Sequence, residues 1–294
     1  MGIRGLYTYL KHYRTSFDLR TPPASNTTSL RIGIDAMSFL YRYREQKEDI
    51  LSVLRTLKEF NYKLLFVFDG KPPVEKDAEL IARKDARNIA STKASTLETF
   101  LQSESAKTID GAALQMLEDS LKRCQTKSWC ASRDIRRAFQ DILWNENIPY
   151  VKSISEADDV LIDLFNAGKL DIVMSSDMDY LVAGISCLWI PSQKGTYWFE
   201  TIYLNDVLKG EDISISQFME LGVLSTEYKI PCETAFTWLR HYGSTEAILK
   251  SRIKGKEFSL NIIENGLKRF KAGSEYSRIR PDHLERVIEF LNTL

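Results

Sequence analysis

Histidine and cysteine are scarce in this chain of 294 residues, with three and four copies. No two cysteines form a CxxC pair, and none has a metal-ligand spacing with a histidine, so the sequence does not indicate a zinc site. No Ser, Cys or His constellation for a covalent intermediate is evident either. We expect free, structural thiols at Cys124, Cys130, Cys187 and Cys232.

Long apolar runs, a secretory leader and an excess of charge of one sign are also missing. No run reaches the length of a membrane span, and the N-terminal MGIRGLYTYLKHYR has no apolar leader segment. MGIRGL also fails as a myristoylation signal, because Leu6 stands where Ser or Thr is required. We expect an intracellular protein, in the nucleus or cytoplasm, with no membrane partner. Basic and acidic residues number 40 each, which argues against coating nucleic acid by charge alone.

Apolar runs that read as buried strands alternate with amphipathic, helix-like segments over the first two hundred residues. RIGIDAM, KLLFVFDG and LDIVMSS are strand-like, while residues 48–60 and EADDVLIDLFNAG have helical periodicity. Residues 76–143 are helix-forming and charged, and the chain from Asn205 onward also reads as helices. This order predicts an α/β fold with a central, mostly parallel twisted sheet flanked by helices, and a helical C-terminal part.

Carboxylates recur where these strands end or the next helix begins. Because the carboxyl ends of parallel strands meet at one crevice, their acids would repel one another unless cations neutralised them. Oxygen ligands without His or Cys favour Mg²⁺ or Mn²⁺, and two such ions can hydrolyse a phosphodiester by in-line attack of water. Any one of these acids taken alone could instead cap a helix. The six are Asp35, Asp69, Glu156, Asp158, Asp177 and Asp179.

Five motifs, MGIRGL, IDAMSFLY, FVFDGKPP, SEADD and SSDMDYL, resemble in order and spacing those of the flap endonuclease family of PIN-like 5′ nucleases. The resemblance implies a PIN-like nuclease core over residues 1–204, with a helical arch at about 76–143. Residues 205–294 would form a helical C-terminal part with a degenerate duplex-binding hairpin. It also implies a metal-dependent nuclease acting on branched or single-stranded-ended DNA.

The resemblance assigns roles to individual positions. Four acids would hold one metal ion, namely Asp35, Asp69, Glu156 and Asp158. The acids Asp177 and Asp179 would serve the second ion. Lys76 and Arg83 would point toward the scissile phosphate, and Tyr41 would stack a nucleobase. Further nucleic-acid contacts are expected at Gly2, Lys84 and Arg87. The alternative for the cations is a solvated helix face, and for Tyr41 an ordinary core or surface aromatic.

The chain departs from the family pattern on its C-terminal side. Leu224 falls where the family has an Asp that completes the second metal site, and the following KIPCE lacks the glycines of the duplex-gripping hairpin. Glu227 is a candidate replacement for the lost acid. We see no obvious sliding-clamp peptide.

Three functions therefore remain open from the sequence. The first is a Mg²⁺- or Mn²⁺-dependent nuclease of the flap endonuclease type. The second is an RNA-cleaving relative, because loss of the duplex-gripping hairpin suits a single-stranded substrate. The third is a catalytically inactive scaffold that binds nucleic acid or protein.

Overall fold

The computed structural model describes residues 3–21, 30–44, 46–103, 106, 108–252, 260–268, 270 and 278–279. Gly2 and the predicted closing helix HLERVIEFLNTL lie outside the described residues. Among the helices that are described, none has both the length and the apolar character needed to cross a membrane.

The described strands are β1 Arg14–Asp18, β2 Arg31–Asp35, β3 Lys63–Phe68, β4 Tyr150–Lys152, β5 Ile172–Met174, β6 Cys187–Pro191 and β7 Trp198–Tyr203. They form one seven-stranded sheet in the order β1-β7-β6-β5-β2-β3-β4. The strands β6, β5, β2, β3 and β4 run parallel, whereas β7 pairs antiparallel with β6, and β1 pairs antiparallel with β7. The prediction of an α/β fold with a mostly parallel sheet is confirmed.

Strand β1 is absent from the sequence-based prediction. Its sequence RTSFD has no apolar alternation, and Phe17 is its one buried side chain. An outer strand that pairs with a single neighbour needs no continuous apolar face, so the hydrophobic pattern of the sequence does not predict it.

Helices occupy the connections between strands and the C-terminal part. Short 3₁₀ turns at Leu10–Tyr13 and Val74–Lys76 join them. The helices are α1 Leu6–Tyr9, α2 Ala36–Tyr43, α3 Lys47–Glu59, α4 Asp77–Leu101, α5 Gly111–Ser128, α6 Arg133–Asn145, α7 Ala157–Asn166, α8 Asp179–Val182, α9 Leu204–Glu211, α10 Ile215–Thr226, α11 Cys232–Tyr242, α12 Thr245–Arg252 and α13 Leu260–Lys268.

Both faces of the sheet are covered, which explains why β3 reads as an unbroken apolar run. Successive side chains of a strand point to opposite faces. Leu65 belongs to the core cluster that includes Leu161 of α7, whereas the ring of Phe66 packs edge-on against Phe139 of α6 at 5.4 Å.

The chain divides into two compact units, Pro72–Arg136 and the remainder, Met1–Lys71 with Arg137–Leu294. Within the smaller unit, α4 and α5 pack against each other as a helical hairpin. In helix α4, only Ala90 and Ala94 are buried. The domain boundaries drawn from the sequence stay a prediction.

Candidate metal centre

Asp35 ends β2 and begins α2 as its N-cap. Its Oδ1 accepts hydrogen bonds from the backbone N–H groups of Met37 and Ser38, both at 2.9 Å. Its Oδ2 accepts a hydrogen bond of 3.0 Å from the hydroxyl of Ser175, just after β5. The carboxylate of Asp35 therefore caps α2 and also contacts the end of the neighbouring strand β5.

Asp69 follows β3 and is tied to the start of α7. Its Oδ1 accepts a hydrogen bond of 2.9 Å from the N–H of Ala157, and Glu156 is the N-cap residue of that helix. The backbones meet so closely here that a Cβ on Gly70 would lie 2.1 Å from the carbonyl oxygen of Ser153. Only glycine fits this approach, so Gly70 sets the distance between the two acidic segments.

Asp158 lies in the first turn of α7 and accepts a hydrogen bond of 2.8 Å from the phenol of Tyr180. Asp177 Oδ1 accepts one of 3.0 Å from the N–H of Asp179. Asp179 Oδ1 in turn accepts one of 3.0 Å from the N–H of Ile3. Each carboxylate therefore has one oxygen held by a protein donor, which fixes its orientation.

The charges of neighbouring acids act on two of the carboxylates, Asp35 and Asp158. Burial, followed by the charges of Asp69 and Asp177, raises the pKa of Asp35 to about 7. Burial also raises the pKa of Asp158, with added contributions from Asp35, Asp177 and Asp69. A crevice that destabilises its own carboxylates in this way is suited to a cation.

The residues present fit a hard divalent cation by charge and by donor chemistry. Their donors are carboxylate oxygens, which Mg²⁺ and Mn²⁺ prefer. Within the described residues, no three His, Cys, Asp or Glu side chains are placed so that they could hold one ion together.

Comparison with known proteins shows which family this chain resembles. Residues 147–227, which include the SEADD and SSDMDYL motifs, match the XPG I-region. The chain is 29% identical to Flap endonuclease 1 of Leishmania major, over 85% of this chain and 67% of that protein. It is 26% identical to Flap endonuclease 1 of Aspergillus clavatus, over 85% of this chain and 66% of that protein. This chain is a relative of the XPG-type flap endonucleases.

Two solved structures share the fold. The catalytic core of Rad2 in complex with DNA substrate superposes with a TM-score of 0.59 at 14% identity, covering 99% of this chain and 95% of that one. The Holliday junction-resolving enzyme GEN1 in complex with product DNA and Mg²⁺ gives 0.57 at 13% identity, covering 98% and 68%. The chain spans about two thirds of the length of the curated flap endonucleases it matches.

The departure from the family pattern has a physical correlate in α10. Leu224 has no exposed surface and belongs to the apolar core. Its neighbour Gly222 lies so close to Val182 and Phe270 that a Cβ would meet them at 2.9 and 2.7 Å. Glu227 follows the last residue of the same helix, and its carboxylate accepts a hydrogen bond of 3.4 Å from the hydroxyl of Thr226. Burial and, to a smaller extent, the charge of Glu227 raise the pKa of Tyr228. Position 224 is thus committed to packing, and the role of Glu227 in the second site stays a proposal.

The predicted substrate-handling cations lie in the unit Pro72–Arg136. Lys76 ends the 3₁₀ turn before α4, and Arg83 pairs with Glu79 one helical turn earlier. Lys84 is exposed and Arg87 half-buried on the same helix. Outside this unit, the ring of Tyr41 on α2 is 42% exposed. Their roles toward nucleic acid stay predictions.

Three residues of the site escaped the sequence reasoning. Ser175 and Tyr180 both lie within SSDMDYL, but the motif alone does not predict the partners of their hydroxyl groups. The hydroxyl of Ser175 donates to Asp35, and that of Tyr180 donates to Asp158. Arg278 pairs with Asp159 from 119 positions away, and no local pattern could have found it.

Proposed function

We propose that this chain is a divalent-metal-dependent, structure-specific nuclease of the flap endonuclease type. It hydrolyses phosphodiester bonds in DNA that carries 5′ flaps or single-stranded ends. The observation that carries the proposal is the grouping of Asp35 and Asp158 with Asp69 and Asp177, in which burial and the neighbouring charges raise the pKa of both Asp35 and Asp158. The family relationship supplies the substrate class. We keep the division into a core over 1–204, an arch at about 76–143 and a C-terminal part over 205–294.

The acids divide between two cations in this proposal. Asp35, Asp69, Glu156 and Asp158 hold the first, and Asp177, Asp179 and Glu227 serve the second. When bound, Mg²⁺ or Mn²⁺ neutralises these carboxylates, activates water and stabilises the leaving oxygen of the phosphodiester.

The surrounding donors keep the carboxylates in position without the cation. Tyr180 orients Asp158, Ser175 orients Asp35, and the N–H of Ile3 orients Asp179. Each donor faces a carboxylate oxygen, so each favours the ionised form that a metal needs.

Positive and aromatic groups handle the nucleic acid. Lys76 and Arg83 stabilise charge on the scissile phosphate, and Tyr41 offers its exposed ring to a base. The ion pair between Arg83 and Glu79 supports this role, because a phosphate can replace the carboxylate as the partner of the guanidinium. Gly2, Lys84 and Arg87 complete the proposed contacts.

The connection between α10 and α11 favours an RNA-cleaving relative as the second candidate. It contains no glycine, and Lys229 takes a left-handed conformation with φ of 57°. A glycine-free turn with a side chain in this region is a poor cradle for a duplex backbone, which suits a single-stranded substrate better.

The test is cleavage of labelled 5′-flap DNA, single-stranded DNA and single-stranded RNA in Mg²⁺, Mn²⁺ or EDTA. The Asp177→Asn/Asp179→Asn variant should lose cleavage, while Asp206→Asn, an exposed acid of α9, should keep it. Glu227→Gln should lower the rate if Glu227 serves the second ion. Flap DNA cut fastest supports the flap endonuclease, and RNA cut fastest supports the second candidate. No cleavage with either metal would leave the inactive scaffold.

A further inference from the structure

Residues 278–279 extend the sheet region beside β4. Ile279 forms an isolated antiparallel bridge with Ser153, directly after β4. The carbonyl oxygen of Arg278 accepts a hydrogen bond of 2.8 Å from the N–H of Ile154 and one of 3.3 Å from the hydroxyl of Ser153. A segment from the far end of the chain thus holds the loop that leads into α7.

The side chain of Arg278 reaches from this loop to α7 itself. Its Nη1 donates to Asp159 Oδ1 at 2.9 Å and lies 3.7 Å from Asp163 Oδ1. Asp163 is 5% exposed, so its charge depends on a nearby cation more than a surface acid would. Arg278 therefore binds residues 153–154 through its backbone carbonyl and the first two turns of α7 through its guanidinium.

Residues 153–157, which Arg278 contacts at residues 153–154, connect Asp69 after β3 with the acids at the start of α7. Ile154 and Ser155 accept backbone hydrogen bonds of 3.1 and 2.6 Å from the N–H groups of Lys71 and Gly70. Two residues further on, the N–H of Ala157 donates to Asp69. Any shift of residues 153–157 would therefore move Glu156 and Asp158 relative to Asp69.

We propose that Arg278 is a positioning residue for the metal centre. It fixes the start of α7 so that Glu156 and Asp158 stay in register with Asp69, and it neutralises Asp159 directly beside Asp158. The inference rests on the proposed function, in which these acids hold a divalent cation. Loss of the guanidinium would loosen the segment and would remove a positive charge next to the carboxylates.

The test measures Mn²⁺ binding by isothermal titration calorimetry on the whole chain without nucleic acid. Arg278→Ala and Arg278→Gln should weaken the affinity by about tenfold or more, in the range found for residues that orient metal ligands. Arg278→Lys, which keeps the charge, should recover part of it. Arg31→Ala is the matched control, because Arg31 forms a similar pair with Asp171 at 2.7 Å, at the amino end of β2. It should leave the affinity within about twofold.

The outcomes separate the two claims. If the wild-type chain binds no Mn²⁺, the proposed function fails. If the wild type binds and both neutral Arg278 variants bind equally well, only the positioning role is overturned. Circular dichroism checks folding, and Arg278→Gln, which retains the stem of the side chain and a donor group, decides the matter should the alanine variant not fold. Weakening equal to that of Arg31→Ala would also overturn the positioning role.

Discussion

The phenol of Tyr180 donates a hydrogen bond of 2.8 Å to Oδ1 of Asp158. Burial, followed by the charge of Asp158, raises the pKa of Tyr180 well above its usual value, so the phenol stays protonated and remains a donor. One oxygen of Asp158 is thereby held by the protein, and the carboxylate is fixed before any cation arrives.

Tyr180→Phe should lower the rate of Mg²⁺-dependent cleavage about tenfold or more, because Asp158 loses the donor that orients it. The matched control is Tyr43→Phe, which removes another largely buried phenol that donates instead to the backbone carbonyl of Thr196 at 3.0 Å. Both variants should lose about 1–2 kcal/mol of stability. Single-turnover kinetics separate them, and equal rates in the two variants would contradict the orienting role.

Without metal, the chain should become less stable as the pH rises from about 4 to about 7. The pKa of Asp35 is raised to about 7 in the folded state, so over this window the folded chain binds a proton that the unfolded chain releases. We expect a loss of roughly 2–4 kcal/mol in the free energy of unfolding. Urea titrations in EDTA at pH 5 and pH 8 measure it. Asp35→Asn should flatten this dependence, and Mg²⁺ should restore stability at pH 8. The same pH dependence in the variant and the wild type would count against the assignment.

Gly70→Ala should destabilise the chain by about 2–3 kcal/mol, since the new methyl group would meet the backbone of Ser153 and Ile154. Gly111→Ala is the control, because no atom lies within 4 Å of the added Cβ at the start of α5. It should be neutral or stabilising by up to about 1 kcal/mol. Urea unfolding curves compare the two. A Gly70→Ala variant as stable as the wild type would show that the acidic segments are less tightly joined than the structure indicates.

Restoring the family aspartate should fail in this chain. Leu224→Asp would place a charge at a site with no exposed surface and should cost about 3–5 kcal/mol of stability without raising the cleavage rate. Thermal unfolding and a cleavage assay check both parts. A folded variant that cuts faster than the wild type would mean that position 224 can still supply a metal ligand.

Most acids of the proposed metal centre could be predicted from the sequence, because each lies next to a recognisable strand or helix pattern. Asp35 and Asp69 each follow an apolar run, and Asp158 follows a helix start, so strand order alone brings them near one another. The mostly parallel sheet and the resemblance to flap endonucleases also follow from local sequence patterns, and both are confirmed.

What the sequence could not supply are contacts between distant segments. The bond from Tyr180 to Asp158 spans 22 positions, and that from Ile3 to Asp179 spans 176. No periodicity encodes such pairs, since they depend on how helices dock on the sheet. Strand β1 was missed for a related reason, because its pairing with β7 is long-range and its residues are mostly polar.

The most direct test of the account compares two aspartates at opposite ends of neighbouring strands. Asp35 lies at the carboxyl end of β2, among the acids of the proposed metal centre. Asp171 precedes the amino end of β5 and pairs with Arg31. The measurement is the single-turnover rate of Mg²⁺-dependent cleavage of DNA with a single-stranded 5′ end. Asp35→Asn should lose at least about 100-fold, and Asp171→Asn should stay within a few fold of the wild type. Cleavage by Asp35→Asn at the wild-type rate would contradict the metal centre proposed for this chain.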